Sequence, residues 1–251
     1  MERRTETPET SARVNDYDGF AEAYAAENEN NLMNARYERP AVLALAGDVA
    51  GRRILDAGCG AGPLAAALRD RGAHVTGIDA SAGMLALARR RLGTGTDLRL
   101  ADLSDPLPFD DGSFDDVVAS LVLHYLRDWG PTLAEMRRVL RPGGRLITSV
   151  HHPLVDYLLQ EPRPDYFATS SYDDEFTVGG RKVPMRFWRR PLHAMTDAFT
   201  AAGFGITAIS EQRPDPTDHE LLPAGVGDVV ARIGFLFFVL QAPTAPTGAG
   251  G

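Results

Sequence analysis

Residues 54–62, Ile-Leu-Asp-Ala-Gly-Cys-Gly-Ala-Gly, constrain the fold more than any other stretch. An apolar run ends in an acid, three glycines follow at alternate positions, and a helical pattern opens at once at Pro63. A strand that stops in a glycine-rich turn and launches a helix is the opening unit of a βαβ fold. Glycine lets the backbone approach a ligand closely, and the first N–H groups of the helix have no intrahelical partner, so such a turn is a ready ligand site.

The same alternation continues along the chain. Strand patterns at 53–56, 74–79, 97–101, 114–122, 145–150, 204–210 and 234–241 are separated by helical patterns at 63–71, 81–92, 131–140 and 191–202. Ser81 is placed to cap its helix, and Arg89, Arg90 and Arg91 suit the helix's C-terminal dipole. Arg141-Pro142-Gly143-Gly144 is a helix stop, and the continuous apolar run at 114–122 reads as a strand buried on both faces. Strands alternating with helices of this length predict an α/β fold, a Rossmann-like doubly wound sheet of seven mostly parallel strands. The last strand has no helix after it, which fits a hairpin at the sheet edge. Ahead of the sheet, 16–48 reads as two helices, with Phe20 and Tyr24 on one face. We expect one domain over 15–241, with a helical cap at 15–48, and disorder at 1–14 and 242–251.

Ligands in such sheets bind outside the carboxyl ends of the strands, so the residues there decide the ligand. A dinucleotide turn reads G-x-G-x-x-G; here Pro63 takes the third glycine's place and Gly62 comes one residue early. Asp56, at the end of its strand, would repel a pyrophosphate and suits a cationic ligand such as an ammonium or a sulfonium. Asp79 ends the second strand, where a carboxylate can accept hydrogen bonds from vicinal ribose hydroxyls; as the residue before the N-cap neighbourhood it also serves the helix. Leu107-Pro108-Phe109-Asp110-Asp111-Gly112-Ser113-Phe114-Asp115-Asp116-Val117 is a turn entering the fourth strand.

These residues resemble the class I S-adenosylmethionine-dependent methyltransferases, in particular the small-molecule, UbiE-like group. Their first motif is an apolar run followed by D/E-x-G-x-G-x-G, filled here by Asp56, Gly58, Gly60 and Gly62, and L-P-F-x-D-G-S-F-D-x-V is a second hallmark. The resemblance runs from Tyr37 to Gly203. It implies an antiparallel last strand, S-adenosylmethionine as methyl donor and S-adenosylhomocysteine as product. It further implies that Asp79 and Ala80 meet the ribose, that Met84, Asp102 and Leu103 border the adenine, and that Tyr24, Cys59 and Ser120 complete the cofactor site. Met84 and Cys59 are equally well explained by packing. A protein of this fold that binds the same donor yet promotes a cyclisation or an elimination is the alternative.

Three histidines are candidate bases. His124 follows the fourth strand, and His151 and His152 end the fifth; each could instead pack or line a pocket. Adjacent residues on an extended chain point opposite ways, so His151 and His152 make a poor metal pair. Residues 151–190 hold seven of the chain's 20 aromatics, together with Arg181, Lys182, Arg186, Arg189 and Arg190. We expect this insert to bind the acceptor through Tyr166, Tyr172 and Trp188, opposite Tyr17 of the cap, with a hairpin turn at Gly179-Gly180. Phe187 and Trp188 serving as hairpin core is the plain reading beside it. The acceptor expected is a small molecule, aromatic or bearing an acidic group. A net charge of −8 argues against nucleic acid, no stretch reaches the length of a membrane span, and the polar start does not read as a secretory signal. The single cysteine fits the cytoplasm. Monomer and homodimer are both compatible with the sequence.

Overall fold

The run before the glycine turn forms β1 (Arg53–Ala57), and the turn leads into α3 (Pro63–Asp70). In the computed structural model, which describes residues 15–213 and 233–244, these elements open a seven-stranded sheet. Of the segments 1–14 and 242–251, where disorder is expected, residues 1–14 and 245–251 lie outside the described residues, whereas Ala242 is buried in the core and its amide donates to the Gly144 carbonyl. The second unit is β2 (His74–Asp79) followed by α4 (Ala82–Leu92), whose N-cap Ser81 accepts a hydrogen bond from the Met84 amide. Then come β3 (Leu98–Leu100), β4 (Phe114–Ser120), α5 (Gly130–Val139) and β5 (Leu140–His151). After the insert, α7 (Leu192–Ala201) leads to β8 (Gly205–Ser210) and β9 (Phe235–Gln241).

The strands lie in the order β3-β2-β1-β4-β5-β9-β8, parallel except for β9, which runs antiparallel to both neighbours. The order reverses between β1 and β4, so the crevice outside their carboxyl ends is the place for a ligand. The final hairpin does occupy the edge, but β9 is its inner strand: Phe235, Leu236, Phe237, Phe238 and Leu240 are all buried. One core layer packs Trp129, Leu133, Met136 and Phe199 against the sheet; the other packs Tyr37, Leu64, Leu68 and Leu85. At the opposite, amino end, Asp116 is fully buried between Arg52 and Arg145. Burial pushes its carboxyl up, but the two guanidiniums outweigh this and hold it below the usual range.

Several elements differ from the expectation. β5 starts at Leu140, five residues earlier, because Phe114 pairs with Leu140 across an irregularity before the ladder resumes at Asp116 and Arg145. β4 stops at Ser120 rather than Val122, because Leu121 turns the chain out of the sheet with φ +49°. The cap is four pieces instead of two helices: a 3₁₀ turn at Tyr17–Gly19, α1 (Ala21–Asn30), a π-helical stretch at Leu32–Glu38 and α2 (Arg39–Ala46). Asn31 caps the third piece, accepting from the amides of Asn34 and Ala35, and the wider winding turns Tyr37 and Glu38 inward. The insert holds a helix that the pattern did not announce, α6 (Pro153–Leu159), before the hairpin of β6 (Ser170–Val178) and β7 (Arg181–Arg189). The hairpin turns where expected, with positive φ at Gly179 and Gly180. Among the described residues no helix is long and apolar enough to cross a membrane.

Candidate functional site

A cavity of about 410 Å³ opens over the carboxyl ends of β1, β2 and β4. Its floor is the glycine turn. The amides of Gly58 and Cys59 both donate to the Ile78 carbonyl at 2.9 Å, which presses the turn against β2. A side chain at Gly58 would stand 2.7 Å from Val122 Cγ2, whereas one at Gly60 would meet nothing within 4 Å, so Gly60 leaves open space for a ligand. Gly62 does not line the cavity: it starts α3 with φ +81°, against Leu92 and Ala88. The Cys59 thiol is buried beside Gly77, and burial pushes it far up, so it stays protonated and unreactive.

Asp79 fastens the floor to the next helix. Its two carboxyl oxygens accept from the amides of Gly60 and Ser81, each at 2.8 Å, and burial raises its proton affinity. Asp56 is 1% exposed, and its Oδ2 has no hydrogen-bond partner. Burial first, then the charges of Asp79 and Glu38, push the Asp56 carboxyl up to about 7. Ala80, Met84, Asp102, Leu103 and Ser120 line the same cavity. Asp102 also accepts from the Ser104 amide at 2.9 Å, closing the turn after β3.

The cap closes the other side with Tyr17 and Tyr24. The Tyr17 and Tyr125 hydroxyls meet at 2.5 Å, and burial raises the affinity of both phenols for their protons. Glu38, Arg39 and Tyr125 line the cavity and were not singled out from sequence. The signal available was Tyr37-Glu38-Arg39-Pro40, a charged pair at the mouth of an apolar helix just upstream of β1.

The histidines lie outside the cavity lining. His124 is buried behind Tyr125 and stacks on His151 with ring centroids 4.0 Å apart. Burial, then the neighbouring His151 ring, hold it well below the usual imidazole range. His151 Nδ1 lies 3.4 Å from the Tyr172 hydroxyl, which also bonds Asp156. His152 accepts from the Leu154 amide as the N-cap of α6 and meets Glu211 through Nε2 at 2.9 Å. Tyr166, Tyr172 and Trp188 do not line the cavity either. Tyr166 packs on Tyr157, Tyr172 packs on the buried Phe187, and Trp188 lies beneath the Arg127 guanidinium. Arg189 and Arg190 are buried and donate to backbone carbonyls. Arg186 and Lys182 pair with Asp173 and Glu175.

A doubly wound sheet with this inserted antiparallel strand, and a cavity over the carboxyl ends of its central strands, defines a Rossmann-like α/β protein. The general methyltransferase-domain family model matches residues 55–148. The chain is 37% identical over 201 residues to a ubiquinone/menaquinone biosynthesis C-methyltransferase of Desulfotalea psychrophila, covering 75% of this chain and 80% of that protein. It is 41% identical over 136 residues to a demethylmenaquinone methyltransferase of Clavibacter sepedonicus, covering 52% and 54% of the two chains. Among solved structures, an S-adenosylmethionine-dependent methyltransferase of Mesorhizobium loti superposes with a TM-score of 0.63 at 27% identity, over 80% of this chain and 96% of that one. The chain belongs to the S-adenosylmethionine-dependent methyltransferase family. It spans about half the length of several of the curated relatives it matches.

Proposed function

We propose that the protein transfers a methyl group from S-adenosylmethionine to a small-molecule acceptor, at oxygen or nitrogen, leaving S-adenosylhomocysteine. One observation carries the reading: Asp56 Oδ2 is a buried carboxyl oxygen with no partner, facing a cavity floored by open glycine backbone. A cationic ligand compensates such a group, and an anionic one does not. S-adenosylmethionine, when bound, supplies a methyl group already activated on a sulfonium. The chain's own residues bind and orient. Asp56 takes the cationic end. Each Asp79 oxygen has a lone pair beyond the one its backbone amide uses, so the carboxylate can still accept ribose hydroxyls. Met84, Asp102 and Leu103 border the base. Tyr17, Tyr24 and Tyr125 exclude water and leave a hydroxyl pair where the acceptor enters.

Alignment of two bound molecules supplies much of the acceleration, and a base is needed only where the acceptor must lose a proton. His124 is the candidate base nearest the cavity, one ring behind Tyr125, with His151 stacked behind it; His152 is engaged by Glu211. Tyr166, Tyr172 and Trp188 stand outside the cavity, so the aromatic contacts offered to the acceptor are Tyr17, Tyr24 and Tyr125.

The test is calorimetric binding of S-adenosylmethionine, then incubation with methyl-labelled donor and candidate acceptors. Demethylmenaquinone, in the name of the Clavibacter sepedonicus relative, is the first to try. Label on oxygen or nitrogen supports the proposal. Label on carbon, the chemistry in the Desulfotalea psychrophila relative's name, corrects the acceptor atom. Tight binding without label transfer points to a cyclisation or elimination in the same site, and absence of binding overturns the reading.

A further inference from the structure

Two buried carboxyl groups face the cavity beside β1, and the proposed function uses only Asp56. Glu38 comes from the π-helical stretch of the cap and is 3% exposed. Its Oε1 accepts from Ser120 Oγ at 2.7 Å and Ser149 Oγ at 2.5 Å. Ser120 ends β4 and Ser149 lies in β5, so a cap side chain is fastened across two central strands. A carboxyl group tolerates such burial only with hydrogen bonds of this kind. π-Helical turns are rare and concentrate at functional sites.

The charge of Arg39 reaches Glu38 but is shared with Glu29, so it offsets the pair only in part. Arg39, next in sequence, reaches the Asn28 carbonyl at 3.4 Å. Arg91 of α4 is engaged by Glu29 and the Ala61 carbonyl. Asp79, Asp102 and Glu29 add further acid from β2, the loop after β3 and the cap, and Tyr17, Tyr24, Tyr125 and Cys59 also stand on the lining.

We infer that Glu38 acts with Asp56 as a charge-selective pair, raising the affinity of the cationic methyl donor relative to its neutral-sulfur product. This rests on the S-adenosylmethionine reading and adds a residue and a selectivity to it. Donor and product share the adenosine, ammonium and carboxylate groups. They differ at sulfur by one methyl group and one positive charge, so a buried carboxylate pair acts on that difference. Loss of the charge on methyl transfer removes the cation that compensates the two carboxylates, which favours release of the product. Burial raises both carboxyl groups, and Asp56 reaches about 7. Asp56 is therefore protonated, and inert towards a cation, below about 7, and the donor's advantage grows as pH rises through neutrality.

Glu38→Gln tests the pair, because a glutamine oxygen still accepts from both seryl hydroxyls while the charge is gone. Binding of S-adenosylmethionine and of S-adenosylhomocysteine is measured by calorimetry on both proteins. We expect the variant to lose roughly tenfold in donor affinity, with product affinity nearly unchanged, a difference of one charge interaction. Equal losses for both ligands would reduce Glu38 to a structural tie and overturn the inference, as would no loss. A second measurement needs no variant: the wild-type donor-to-product affinity ratio should climb between about pH 5.5 and about pH 8.5, spanning the raised carboxyl range. A flat ratio also overturns it. Failure of the wild-type protein to bind either ligand overturns the parent reading instead.

Discussion

At the scale of single residues, the floor of the cavity trades stability for a binding site. Asp56 has a folded-state pKa of about 7, against roughly 4 for an unfolded chain. An acid raised on folding contributes stability below its unfolded value and loses it as pH rises through the folded one. The protein should therefore weaken between about pH 4 and pH 7, by at most about 4 kcal/mol from this group. Asp56→Asn removes the term: the variant should melt close to wild type at or below about pH 4 and above it at pH 8, while binding S-adenosylmethionine less well. A variant that melts lower at pH 8 would show that Asp56 is not held at a cost. Asp79→Ala carries the opposite signature. It removes the acceptor for the Gly60 and Ser81 amides as well as the proposed ribose contacts. Donor affinity should drop more than about 10-fold by calorimetry, since paired charge-assisted hydrogen bonds are worth a few kcal/mol.

At the scale of elements, the parts most readable in the sequence were those whose signal is local. Ser81 was identified as an N-cap from its position before an apolar period, and its hydroxyl does accept from the Met84 amide. That hydroxyl also donates to Asp18 Oδ1 at 2.5 Å, a contact across 63 residues that no local pattern announces. Ser81→Ala should thus lower stability by about 1 kcal/mol for the lost cap, and somewhat more for the tie to Asp18, in urea unfolding. The glycine turn, Asp56 and Asp79 were legible because βαβ geometry sends strand ends to one crevice. Glu38 was not, because its inward direction depends on a π-helical winding set by Asn31 and on hydroxyls 82 and 111 residues away. His124 was read as facing the crevice because it follows β4, yet the turn begun at Leu121 puts Tyr125 there instead. β5 was placed too late because Arg141-Pro142-Gly143-Gly144 hides the pairing of Leu140 with Phe114.

For the whole molecule, cap and insert are joined. Asn15 imitates a strand neighbour, donating to the Arg186 carbonyl at 2.9 Å and accepting from its amide at 2.7 Å. The Gly179 amide donates to Glu27 at 2.9 Å. Since the cap lines the cavity, ordering it with S-adenosylhomocysteine should slow hydrogen exchange at the Arg186 and Gly179 amides. Asn15→Ala should abolish the protection at Arg186 without abolishing binding; protection that persists would show that the two parts are ordered independently.

The place of β9 between β5 and β8 makes the order of synthesis differ from the order of assembly. A ribosome delivers β8 before the strand that attaches it. Until Phe235–Gln241 emerges, β5 has one open edge, β8 has no partner, and the apolar face that β9 will cover stands uncovered. Such an edge is a template for pairing with other chains. Between residue 210 and residue 241 the chain therefore carries an unpaired β8 and an open β5 edge, which closes only when the last strand of the sheet arrives.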